Sequence, residues 1–210
     1  MGKVIAFSNQ KGGSGKSTLT ANIAVLWSNS GYKVAVIDAD AQKSLTYWLG
    51  ERKKYYGADD CGIDSYSFDI RNLNEEIKII KRKYDYIIID SPPSITFDTI
   101  QIIKATNGLF VPVQPSPLDL MATLPFLQLA KQERKNPIIF LNRVMPRAKL
   151  TEAMVLRLRY AGAKLARSRI SSKVIFAETF SVGRGVVDIN VTSDAAKEII
   201  NAGNEIIRNL

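Results

Sequence analysis

A chain of 210 residues with 46% hydrophobic and 23% charged residues has the composition of one folded α/β domain. Its one cysteine, Cys61, excludes internal disulfides, paired-cysteine redox chemistry and cysteine metal clusters, and the lack of histidine removes imidazole catalysis and histidine metal sites. No apolar run nears the ~20 residues that span a bilayer, so the expectation is a cytoplasmic protein.

Along the chain, apolar runs rich in β-branched residues recur at 4–7, 34–37, 86–89, 109–113, 138–141 and 174–176. Without polar alternation, such runs predict strands covered on both faces. Between them lie helical patterns, among them 18–30, 74–82, 120–134, 151–167 and 193–209. Strand alternating with helix predicts a single domain over 1–210, with a mostly parallel central sheet and helices on both faces. In such sheets ligands sit at the carboxyl ends of the strands, so the chemistry is sought just after each strand.

After the first strand comes Gln10-Lys11-Gly12-Gly13-Ser14-Gly15-Lys16-Ser17-Thr18. Its glycines let the backbone turn successive N–H groups toward one anion, and a helix N-terminus at Ser17 adds partial positive charge. Lys16 can reach the β- and γ-phosphates of a nucleotide, and Ser17 offers a hydroxyl to Mg²⁺. Gly12, Gly13, Ser14, Gly15 and Thr18 complete the candidate cradle. A glycine is usual where Gln10 stands, so this is a variant of the common phosphate loop.

The Lys11-Gly12-Gly13-Ser14-Gly15-Lys16-Ser17-Thr18 loop resembles the deviant Walker A motif of the ParA/MinD ATPases, within the P-loop NTPase fold. The resemblance implies that Lys11 reaches across an ATP-sandwich homodimer to the partner's nucleotide, a cation delivered where charge builds up in phosphoryl transfer. Asp38-Ala39-Asp40-Ala41-Gln42 resembles the family's switch segment, with alanine at position 41 where proline is usual. There Asp40 would orient the attacking water, and either aspartate could hold a metal-bound water, Asp38 being the candidate named for the metal. Asp90-Ser91-Pro92-Pro93 resembles a Walker B strand end, with Asp90 holding Mg²⁺ through water. Singly, each carboxylate would read as a cap or turn residue; three motifs in family order argue otherwise. Asn142 and Arg143 fall where family members contact adenine. The likeness runs through nearly the whole chain and is strongest to short plasmid-type ParA proteins, which lack an N-terminal helix-turn-helix domain.

Charge is uneven. Residues 131–173 hold 12 of the 29 basic residues and only two acids, Glu133 and Glu152. At about 100° per residue, a helix over 151–167 would bury Met154, Leu158, Ala161 and Leu165 and present Arg157, Tyr160, Lys164 and Arg167 on the next arc. Arg169 and Lys173 would follow in a loop. A solvated helix face is the plain reading of that arc. The resemblance favours nonspecific DNA binding through phosphates by the ATP-bound dimer, a nucleoid-associated protein, and a ParB-like or adaptor partner that stimulates hydrolysis. In 193–210 the stripe of Ile199, Gly203, Ile206 and Leu210 carries more acids than bases on its other side, so a helix packed on the core, with no membrane role, is expected. The rival readings are a MinD-like membrane positioner and a metabolic P-loop enzyme. A single cysteine excludes an iron–sulfur electron carrier.

Overall fold

The computed structural model describes residues 2–57, 61–146 and 149–210. Seven strands form one sheet: β1 (Lys3–Phe7), β2 (Val34–Asp38), β3 (Ile63–Tyr66), β4 (Tyr86–Asp90), β5 (Gly108–Val113), β6 (Ile138–Val144) and β7 (Lys164–Ser171). They lie in the order β3-β2-β4-β1-β5-β6-β7, and every neighbouring pair is parallel. The helices are α1 (Lys16–Asn29), α2 (Ser44–Tyr56), α3 (Leu73–Ile80), α4 (Phe97–Ala105), α5 (Pro117–Gln132), α6 (Lys149–Tyr160), α7 (Ile175–Ser181), α8 (Val186–Ile189) and α9 (Asp194–Arg208).

The continuous apolar strands are explained by two cores. Ile5 and Phe7 of β1 enter one core with α1, α2, α7, α8 and α9, while Val4 and Ala6 enter the other with α3, α4, α5 and α6. A side-chain period of two on a doubly covered strand leaves no position for a polar residue. Strand order reverses beside β1, so the loops after β1, β2, β4, β5 and β6 converge on one crevice.

Three sequence expectations need correction. The helix predicted over 151–167 stops at Tyr160; Gly162 follows at φ 71°, the left-handed conformation that ends helices, and Lys164–Ser171 is a strand. The helical arc joining Arg157 and Tyr160 to Lys164 and Arg167 therefore does not exist, and Arg169 lies in β7 rather than in a loop. The strand predicted at 174–176 is absent: an exposed Val174 precedes α7, and the seventh strand is β7. The short β3, whose Asp64 and Ser65 hide the strand pattern, was not foreseen.

The C-terminal segment is a helix packed on the core, as expected. Ile199, Gly203 and Ile206 are buried, and α9 packs on the same core as α1. No helix among the described residues is long and apolar enough to cross a membrane.

Candidate nucleotide site

The loop between β1 and α1 is pinned from three sides. The Asn9 side chain donates to the Pro112 carbonyl and accepts from the Lys11 amide. Gln114, just past β5, donates to the Gly13 carbonyl (2.8 Å), and Asn142, in β6, donates to the Ser14 carbonyl (2.7 Å). Gly15 stands at φ 98°, and a Cβ there would lie 2.1 Å from the Asn142 amide nitrogen. Both conformation and space demand glycine.

Lys16 opens α1 and is buried, its ammonium donating to the Lys11 carbonyl (3.4 Å). Burial lowers its pKa from the ordinary lysine value, against the pull of Asp90 and Asp40. Ser14 is fully buried and its hydroxyl has no partner among the described residues. Together these groups form a preorganised anion cradle awaiting acceptors.

Lys11 behaves differently. Its ammonium pairs with the Asp119 carboxylate in the first turn of α5, at the side of the loop, and it does not line the phosphate cleft. Asp119 is 1% exposed and also accepts from the Ser116 hydroxyl (2.5 Å).

The carboxylates divide by how they are engaged. Asp38 is occupied: it accepts from the Asp40 amide and from both the amide and hydroxyl of Thr46, tying β2 to α2. One oxygen of Asp40 accepts from the Gln42 amide, and the residue lines the phosphate cleft. Asp90, at the end of β4, is wholly buried, and neither of its oxygens is hydrogen-bonded among the described residues. Burial pushes its carboxyl up to about 7; Asp38 and Asp40 add to the rise, and the nearby Ser17 hydroxyl and Lys16 oppose it. A buried carboxylate with two orphaned oxygens facing a phosphate cradle fits a hydrated Mg²⁺. No cluster of three or more His, Cys, Asp or Glu among the described residues could hold a metal alone. The ion would therefore depend on the nucleotide's phosphates.

Two clefts meet at the loop. One, of about 280 Å³, is lined by Gly12, Gly13, Gly15, Lys16, Ser17, Thr18, Asp40 and Pro93 among others. The second, of about 260 Å³, is bounded by Asn142, Arg143, the segment 170–174, Phe176 and Ala177. They share Gly15, Thr18 and Arg143, so the two clefts run into one another beside the loop. Asn142 and Arg143, expected from the sequence at the nucleotide site, both line this second cleft. Sequence reading missed 170–177, because nothing local connects those residues to a loop some 150 positions earlier. Gln114 and Asp119 lie in a segment after β5 that the resemblance also covers, but their contacts with the loop were equally hidden.

The basic residues do not form one helical patch. Arg157 is exposed on α6; Lys164 and Arg167 are exposed on β7, with Lys164 donating to Asn209. Arg169 pairs with Glu152 of α6, and Lys173 pairs with Glu198 of α9. Neither Arg157 nor Arg167 forms an ion pair among the described residues.

The chain is similar to known proteins in sequence and in fold. "Maintenance of carboxysome distribution protein A" of Halothiobacillus neapolitanus is 28% identical over 210 residues, covering 97% of this chain and 95% of its own. The "chromosome-partitioning ATPase Soj" of Treponema pallidum is 25% identical over 247 residues, covering 99% and 98%. A Cyanothece McdA solved in complex with ATP has the same fold, with a TM-score of 0.82 at 18% identity over 97% of this chain and 96% of that one. Residues 5–186 match the CobQ/CobB/MinD/ParA nucleotide binding domain, and that span holds the loop, the three carboxylates and both clefts. The chain belongs to this family of nucleotide-binding domains.

Proposed function

We propose that the chain is a Mg²⁺-dependent ATPase of the ParA positioning type, which closes as an ATP-sandwich dimer, holds DNA nonspecifically and releases it when a ParB-like or adaptor partner stimulates hydrolysis. The observation that carries this reading is the split between two lysines of one loop. Lys16 is buried in the cradle, whereas Lys11 is turned out of it onto Asp119. A cation so close to phosphates yet held aside suits service to a second protomer.

In this reading Lys16, the loop amides and Ser17 bind the phosphates, and Asp90 with Ser17 holds the ion, which neutralises phosphate charge when bound. Asp40, with one oxygen uncommitted, orients water for in-line attack. Lys11 of the facing copy meets the charge that develops. The second cleft takes adenosine. Cargo transport is supported by the relatives named for carboxysome distribution and chromosome partitioning.

The test is size-exclusion chromatography with light scattering, with ATP and Mg²⁺ against ADP, followed by gel shifts on unrelated duplexes. A dimer formed only with ATP, and DNA bound only by that dimer, are expected; a constant monomer that ignores ATP would sink the proposal. A MinD-like membrane role is less well supported, because the apolar stripe of α9 is spent on the core.

A further inference from the structure

β7 is an outer strand of the sheet, and its outward amides would be open to pairing with another chain. α9 closes that edge with two glutamates seven residues apart, which places them two turns apart on one face of the helix. Glu205 accepts from the amides of Arg167 and Ser168, both at 2.8 Å. Glu198 accepts from the Ser171 amide (2.9 Å), the Ser171 hydroxyl (2.7 Å) and the Lys173 ammonium. The two clamps are not equivalent. Glu205 grips the middle of the strand; Glu198 grips the point where the strand ends and becomes the wall of the nucleoside cleft, for Ser171 and Lys173 both line that cleft.

We propose that Glu198 is a positioning residue for nucleotide binding: from α9 it sets the backbone at Ser171 and the ammonium of Lys173, and so fixes the nucleoside side of the site without touching the phosphate cradle. The proposal rests on the nucleotide reading of the two clefts. Three hydrogen bonds converge on one carboxylate, and charge-assisted bonds of this kind are the ones that hold a loop in a single geometry. Since Lys173 is neutralised within the chain, its charge is spent on the wall rather than on DNA.

The experiment measures binding of ADP and of pyrophosphate to the full chain by calorimetry, for wild type, E198A, E198Q and E205Q, with thermal melting of each. Pyrophosphate reads the phosphate cradle alone; ADP reads both clefts. E198A should bind ADP about tenfold more weakly, the loss of one net anchoring interaction, with pyrophosphate unchanged. E198Q, which still accepts from Ser171 but cannot match the charge of Lys173, should fall between. E205Q, clamping the same strand away from the cleft, should bind ADP as wild type does. Wild-type ADP affinity in a cooperatively melting E198A or E198Q would overturn the proposal, as would equal losses in E198A and E205Q. A wild type that binds pyrophosphate as tightly as ADP would instead remove the nucleotide reading of the second cleft, and the proposal with it.

Discussion

Lys11 and Asp119 are 108 positions apart in sequence and ion-paired in the fold, with the carboxylate buried and the lysine side chain one-third exposed. On the proposed reading, the pair holds in cis a cation that a sandwich dimer would require in trans. Breaking it should release the lysine. Asp119→Asn is expected to leave ATP affinity unchanged and to tighten the ATP-dependent dimer severalfold, since a partly exposed ion pair is worth about 1 kcal/mol. Lys11→Ala should retain nucleotide but lose the dimer and hydrolysis, whereas Lys16→Ala should lose nucleotide altogether. Sedimentation velocity at several concentrations, with fluorescent nucleotide titrations, separates the three. A weaker dimer in Asp119→Asn would mean that the carboxylate orients Lys11 for the partner instead of withholding it.

Asp40→Ala should bind ATP and accumulate as the dimer, with hydrolysis lowered at least ~100-fold by loss of the water-orienting group. The Gln42 amide loses its acceptor, a local cost that leaves the cradle intact. Phosphate release and chromatography of the same sample check it; turnover at the wild-type rate would assign the role elsewhere.

Asp90→Asn addresses the metal. The carboxylate is buried with both oxygens unpartnered, so its neutral isostere should melt no lower than wild type without Mg²⁺, and higher if the orphaned charge is costly. The variant should bind ADP in EDTA as wild type does and gain nothing from added Mg²⁺. Calorimetric titrations with and without the ion decide this, and an undiminished Mg²⁺ effect would exclude Asp90 as its holder.

Glu205 gives a pH dependence. Burial opposes its ionisation, but hydrogen bonds from the Arg167 and Ser168 amides outweigh burial and hold its pKa below the ordinary value of 4.5. A depressed carboxyl pKa adds stability that is fully present above the unfolded value and disappears as pH falls through the folded one. Wild type should therefore lose melting temperature below about pH 4.5 more steeply than Glu205→Gln, the two curves converging in acid. Parallel curves from pH 7 to 3 would show that the clamp carries no charge-dependent stability.

DNA binding should rest on Arg157 and Arg167, exposed on α6 and β7 and free of ion pairs among the described residues, more than on Arg169 and Lys173, which Glu152 and Glu198 already hold. Each phosphate neutralised adds about 0.9 to the log–log salt slope. The double variant Arg157→Glu with Arg167→Glu should abolish ATP-dependent gel shifts and leave dimerisation intact; Arg169→Glu should weaken them less. The reverse ranking would place the phosphates across the paired residues.

What the sequence determined by itself is what local chemistry decides. Glycines at 13 and 15 adopt positive φ before a helix opening on Lys16, and Asp90 ends an apolar strand; each follows from a few consecutive residues. The strand 86–89 could be read because both its faces are buried and its residues agree. Residues 164–171 could not. Leu158, Ala161 and Leu165 keep helical spacing, and only the left-handed turn at Gly162, the pairing with β6 and the glutamates of α9 on the open edge turn the segment into a strand. The tertiary structure alone decided which carboxylates are occupied: Asp38 is taken by Thr46, Asp119 by Lys11 and Glu198 by Lys173, leaving Asp90 empty-handed. Pairing depends on which side chains the sheet order brings within hydrogen-bond reach, and that distance is not a property of any stretch of sequence.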